Sequence, residues 1–333
     1  MTSVAADDRV TVDDCLARDP GRTLADDVRD GLARPLKELP PKHLYDAAGA
    51  ELFDRICALP EYYPTRCERA LLERHAEPIA ESTGAGELVE LGSGSAAKSR
   101  LLLRAMAAAG RLRRYVPVDV SAATLRGSAA ALAREFPELA VHGLVGDIER
   151  HLRHVPPPLP GVRRVVAFLG GTMGNFPPAE RRALLGDIAA LLRDGDHLLL
   201  GADLVKDPAV IEAAYNDSAG VTAAFNRNML HVVNRELAAD FDPDAFDHVA
   251  FYDREREWVD MRLRSRREQT VTIRALGMQM RFAAGEDLRT EISAKFTPER
   301  LRDDLAAAGL APVERFTDPD GLFTLVLARP DSR

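Results

Sequence analysis

The stretch Gly86-Glu87-Leu88-Val89-Glu90-Leu91-Gly92-Ser93-Gly94 decides the fold. A short apolar run that ends on a glycine turn reads as a buried strand over 87–91. The helical pattern that follows runs through Leu101–Ala109. The same alternation continues downstream. Residues 113–121 (RRYVPVDVS) give a second strand, 121–136 a helix, and 140–147 (AVHGLVGD) a third strand. The prolines of 154–161 (HVPPPLPG) lack donors and fix φ, so that segment is a loop. A fourth strand (163–171), a helix (179–193) and a fifth strand (195–204) complete the run. Such a βαβα order predicts a doubly wound parallel sheet with helices on both faces.

Outward from this core the rhythm changes. Upstream, 66–82 reads as a helix with Leu71, Leu72, His75 and Ile79 on one face. Downstream, 206–286 carries scattered aromatics, a helix near 208–216 and a strand-like stretch from Trp258 to Ile273. The sheet pattern then resumes, with a helix in PERLRDDLAAAGL and a last strand in LFTLVLA. The expected division is a core of 70–205 plus 287–333, a second domain of 12–69 plus 206–286 covering the substrate, and a loose 1–11.

The chain has 333 residues, 46% hydrophobic and 29% charged, enough for one large domain or two joined ones. A net charge of −8 with mixed signs argues against nucleic acid as a partner, and the arginines of 262–267 read as a solvated strand or turn. No stretch approaches the ~18 consecutive apolar residues of a membrane span, and the acidic start is unlike a signal peptide. Cys15, Cys57 and Cys67 form no Cys-x-x-Cys pair and read as reduced thiols in a cytoplasmic protein. The self-contained insertion predicts a monomer.

Glu90-Leu91-Gly92-Ser93-Gly94-Ser95 follows a strand and opens a helix, where glycines let a ligand approach the backbone and free N–H groups favour a negative group. Gly92–Ser99 is one residue from a P-loop, but Ala97 stands where the second glycine belongs, and its Cβ would enter a backbone that must curl around phosphates. The alternative needs acids at the next strand ends. Asp119 and Asp147 supply them; each alone is equally a helix cap or a solvated loop acid. A nicotinamide dinucleotide fits less well, since no second dinucleotide half is apparent.

Gly92, Asp119 and Asp147 together resemble the class I S-adenosylmethionine (SAM)-dependent methyltransferases. The resemblance implies that Gly92 contacts SAM, that Asp119 accepts from the ribose hydroxyls, and that Asp147 and the Ile148 backbone meet the adenine. Lys98 would reach the methionyl carboxylate; otherwise it is an exposed helix lysine. Ala96 replaces the third glycine of many such loops.

Over nearly its whole length the chain is similar to a narrower family, the ergothioneine-pathway L-histidine Nα-methyltransferases. The segments that carry this are Leu59–Arg66 (LPEYYPTR), Phe168–Asn175 (FLGGTMGN), Asp203–Asp207 (DLVKD), Gly220–Thr222 through Asn226–Asn228, and Thr290–Phe296 (TEISAKF). The resemblance implies a Rossmann-like α/β sheet with a second, smaller α+β substrate domain. It implies three methyl transfers from SAM to the α-nitrogen of L-histidine, giving hercynine.

Asn175, Tyr62 and Tyr215 would hold the amine and carboxylate end of the substrate. Without the family, Asn175 is a turn residue ahead of Pro177, and isolated tyrosines are usually core or rim. Glu291 and Ser293, two apart on a strand, share a face and suit an imidazole, with Ile292 between them in the same site. Met261 and Phe53 are candidates for the same pocket or for plain core packing.

Methyl transfer from a sulfonium needs an aligned neutral amine, with no metal and no covalent nucleophile. The eight histidines form no H-x-x-x-H pair, and there is no G-x-S-x-G elbow. The amine can lose its proton to water or to a pocket hydroxyl. Three rivals stay open at this point: methylation of another small amine (fungal relatives of the group act on indole amino acids), a P-loop hydrolase, and a non-catalytic SAM-binding module.

Overall fold

The computed structural model describes residues 9–19 and 21–331. Its strands are β1 (Val10–Asp14), β2 (Lys37–Glu38), β3 (Ala85–Leu91), β4 (Arg114–Asp119), β5 (Ala140–Val145), β6 (Arg163–Phe168), β7 (His197–Asp203), β8 (Phe246–Asp253), β9 (Trp258–Ser265), β10 (Gln269–Ile273), β11 (Met278–Phe282), β12 (Asp287–Ala294), β13 (Leu310–Thr317) and β14 (Phe323–Pro330). Contacts divide the chain into two units. One holds the described residues of 9–21, 67–204 and 296–331; the other holds 22–66 and 205–295.

In the first unit every residue of β3 is buried, as a strand covered on both faces must be. Strand order is β1-β5-β4-β3-β6-β7-β14-β13. β1 and β3 to β7 pair in parallel, whereas β14 runs antiparallel to both β7 and β13, so the sheet is mixed rather than wholly parallel. From β3 the chain winds outward through β4 and β5, then returns to β6 on the other side of β3. Right-handed crossovers therefore place helices on opposite faces for the two halves. The winding reverses between β3 and β6. At such a switch point the loops leaving two neighbouring strands diverge and open a crevice beyond their carboxyl ends.

The second unit is α+β. Its sheet has the order β2-β12-β9-β8, and β10 pairs with β11 in a separate hairpin. Helices Ala47–Cys57 and Val221–Leu237 bury Ile56, Phe225, Met229 and Val233 in a core with Phe246, Leu263, Phe282 and Leu288.

Several boundaries differ from the sequence expectation: residues 15–19 and 67–69, assigned to the second domain, belong to the first unit, and residue 205, assigned to the core, belongs to the second. Residues 12–14, assigned to the second domain, belong with Val10 and Thr11 to β1, which pairs with β5 at the sheet edge; of the stretch expected to be loose, 1–8 lie outside the described residues. Residues 287–295, assigned to the core, belong to the second unit, because β12 pairs with β9 and not with the large sheet. β13 was not foreseen: Val313, Glu314 and Arg315 are exposed on an edge strand, so no apolar alternation marks it.

Candidate active site

The residues expected to meet the cofactor lie in the first unit. Gly92 (φ +71°) and Gly94 (φ +48°) hold left-handed conformations directly after β3. A Cβ on either would meet no atom within 4 Å, so the backbone there is open to a ligand. Ala96 takes the same left-handed region (φ +55°) despite its Cβ, with its methyl buried. This is a conformation worth roughly 1–2 kcal/mol of strain for a non-glycine residue. The loop is pinned from the neighbouring strand: the Gly92 N–H donates to the Val118 carbonyl at 2.9 Å, and the Gly94 N–H donates to the Asp119 carboxylate at 2.7 Å. The other Asp119 oxygen accepts from the Ser121 N–H at 2.8 Å. Each oxygen keeps a further lone pair, which suits a vicinal diol. Behind the loop, burial raises the Glu90 carboxyl to about 7, and the Tyr115 hydroxyl donates to it.

Asp147 follows β5 and accepts the Glu149 N–H at 2.9 Å, while its own N–H donates to His151 Nδ1. It is thus a turn former as well as a half-buried acid, with Ile148 half-buried beside it. Lys98 is no exposed helix lysine. It precedes the helix Ser99–Ala108 and pairs with Glu68, which is wholly buried. Both Glu68 oxygens also accept the Gly170 N–H, at 2.7 and 2.9 Å. One carboxylate therefore ties the loop after β3 to the loop after β6, across the switch point; the sequence reading did not single out Glu68. Asn175 lies seven residues past the end of β6, closing the 3-10 turn Thr172–Asn175 rather than the strand itself.

Most of the residues expected to meet the acceptor lie in the second unit. Glu291 and Ser293 lie on β12, both almost wholly buried. Met261 is the register partner of Glu291, so the two side chains adjoin on one face; Ile292 pairs with Asp260 and by alternation points the other way. Rings of Tyr45, Phe53, Tyr62, Tyr215 and Phe225 form a connected cluster, with successive centroids 5.4 to 6.3 Å apart. Burial pushes the Tyr45 and Tyr62 hydroxyls well above the usual phenol range, and the nearby Glu291 adds to this. Burial likewise raises Glu291 to about 7, offset in part by the Lys295 ammonium.

Tyr215 Oη donates to Ser293 Oγ at 2.8 Å, and buried Lys295 donates to both oxygens at 2.9 Å. Tyr62, Tyr215, Glu291 and Ser293, proposed from sequence, thus share one unit, while Asn175 and the cofactor residues belong to the other. Tyr45 and Lys295 carried no role in the sequence reading. Lys295 could have been found from the 291, 293, 295 alternation; nothing local marked Tyr45. Among the described residues no group of three or more His, Cys, Asp or Glu side chains could hold a metal ion, and no helix is long and apolar enough to cross a membrane.

A family model described as histidine-specific methyltransferase, SAM-dependent, covers residues 24–330. Histidine N-alpha-methyltransferase of Mycolicibacterium smegmatis is 51% identical over 302 residues, spanning 91% of this chain and 93% of that protein. Its counterpart in Mycobacterium tuberculosis is 47% identical, over 96% of this chain and 99% of that protein. Ergothioneine biosynthesis protein 1 of Neurospora crassa is 29% identical over 88% of this chain, which matches 33% of the longer fungal protein. Matched by that family model over residues 24–330 and 47–51% identical to the two histidine N-alpha-methyltransferases along almost its whole length, the chain belongs to the histidine-specific, SAM-dependent methyltransferase family.

Proposed function

We propose that this chain transfers three methyl groups in turn from SAM to the α-amino nitrogen of L-histidine, giving hercynine and S-adenosylhomocysteine, the first step of ergothioneine biosynthesis. The observation that carries the reading is Glu291 with Ser293 on one face of β12. An imidazole N–H meets a carboxylate there, and its second nitrogen meets a hydroxyl. An amino acid with a plain hydrocarbon ring would leave the Glu291 carboxylate and the Ser293 hydroxyl proton without partners, at a cost of roughly 1–3 kcal/mol each.

SAM, when bound, supplies a methyl group on a sulfonium. The chain's own residues align the amine for in-line attack and keep the substrate in one orientation. Gly92, Lys98, Asp119, Asp147 and Ile148 are the residues proposed to hold SAM. Tyr62, Asn175 and Tyr215 are proposed to hold the amino-acid end, with Glu291 and Ser293 at the ring; Ile292, expected there from the sequence, faces the other side of β12 and supports the strand instead. Aromatic faces tolerate the fixed positive charge of the trimethylated product. The same reading has the chain work as a cytoplasmic monomer on a small molecule, without metal, nucleic acid or membrane; its net charge of −8 disfavours a polyanionic partner.

The test is mass spectrometry of the purified protein with SAM and each of the twenty amino acids. Three methyls on histidine alone is the expected result. No methylated histidine would overturn the reading.

A further inference from the structure

Lys295, Tyr215 and Ser293 form a closed triangle of one ammonium and two hydroxyls, all buried. An ammonium has only donors, so Lys295 fills one lone pair on each oxygen. The short edge between the oxygens needs one hydroxyl proton. The phenol is the more acidic of the two and gives its proton to Ser293, as the geometry has it. Ser293 Oγ then accepts twice, from Lys295 and Tyr215, and both its lone pairs are used. What remains to it is its own proton. Two positions away along β12, Glu291 is almost wholly buried, and no described residue donates a hydrogen bond to its carboxylate.

We propose that Lys295 is a positioning residue that sets ring specificity: it commits Ser293 to act as a donor, so the site takes an imidazole as one neutral tautomer, its N–H toward Glu291 and its bare nitrogen toward Ser293. This rests on the reading of Glu291 and Ser293 as the ring site. An imidazolium brings a second N–H to an oxygen with no lone pair left, and is rejected. A ring with one N–H and no bare nitrogen leaves the Ser293 proton unpaired, and is disfavoured. Without Lys295, the Ser293 proton can turn back to Tyr215 Oη, and that penalty disappears.

Two analogues separate the halves of the site. Thiazolylalanine has a bare ring nitrogen and no N–H; pyrrolylalanine has an N–H and no bare nitrogen. Calorimetry in the presence of S-adenosylhomocysteine gives the Kd ratio of pyrrolyl to thiazolyl analogue, in which any uniform damage to the pocket cancels. In Lys295→Met the ratio should fall roughly tenfold from the wild-type value. In Lys295→Arg, which keeps two donors, it should stay within about threefold.

An unchanged ratio in folded Lys295→Met overturns the proposal. If circular dichroism shows that variant unfolded, Tyr215→Phe decides, since it returns one lone pair to Ser293 and must also lower the ratio; an unchanged ratio there overturns it equally. A wild-type protein that binds neither histidine nor either analogue overturns the histidine reading itself. Histidine binding with an unmoved ratio overturns only the role of Lys295.

Discussion

The Asp119 carboxylate reaches back 25 positions to accept the Gly94 N–H at 2.7 Å, so the acid that ends β4 fixes the loop that leaves β3. Substitution by alanine removes that bond, the Ser121 bond and the acceptor proposed for the ribose hydroxyls together. Asp119→Ala should weaken SAM binding by about 10–100-fold, taking ~1–3 kcal/mol for the lost charged acceptor. Calorimetry with S-adenosylhomocysteine measures it. An unchanged affinity would remove Asp119 from the cofactor site.

Glu291→Ala should act in the opposite sense. Its carboxylate belongs to the second unit, and every proposed SAM contact to the first. Histidine affinity should fall at least about a hundredfold, as expected when a buried charged hydrogen-bond partner is removed, with SAM affinity nearly intact. Parallel binding titrations decide it; equal loss of both affinities, or of neither, defeats the role.

Why some of this was legible in the sequence and some not follows from the range of the interactions. The β3–Gly92 turn, Asp119 and Asp147 are read from local patterns, since a buried strand ending in glycine is a short-range signal. The alternation of Glu291 and Ser293 is equally local. Which sheet β12 joins is set by pairing with β9 some thirty residues earlier, and no local periodicity encodes that. Glu68 looks like any helix glutamate until Lys98 and the Gly170 N–H converge on it. Tyr45 gains its place from ring contacts with Phe53 and Phe225, the latter far along the chain.

Glu291 also has a signature in stability. Burial raises its carboxyl from 4.5 to about 7, so between those values the folded protein holds a proton that the unfolded chain releases. Its contribution is fully present below about pH 4.5 and is lost as pH rises through about 7. Glu90, raised for the same reason, acts in the same window in both proteins and cancels in a comparison. Glu291→Gln should therefore gain on the wild type by on the order of 2 kcal/mol between pH 5 and pH 8. Urea unfolding at the two pH values checks this. Parallel behaviour of the two proteins would show that Glu291 is ordinarily ionised in the fold.

The Glu68 clamp allows a sharper test, because a second residue reports on the same carboxylate. A Cβ at Gly201 on β7 would lie 2.1 Å from Glu68 Oε1, so alanine there must displace the group that holds Gly170 and Lys98. Gly201→Ala should cost about 1–3 kcal/mol as overpacking. Glu68→Ala should cost about 3–5 kcal/mol, because the Gly170 N–H loses its partner and Lys98 its counter-charge. Once Glu68 is gone, the added methyl at 201 has no carboxylate to strike and partly fills the space left behind. The double variant should then be clearly less destabilised than the sum, by about 1–2 kcal/mol in a cycle of urea melts. Strict additivity would mean that the two side chains do not share this space, and the clamp between the β3 and β6 loops would lose its support.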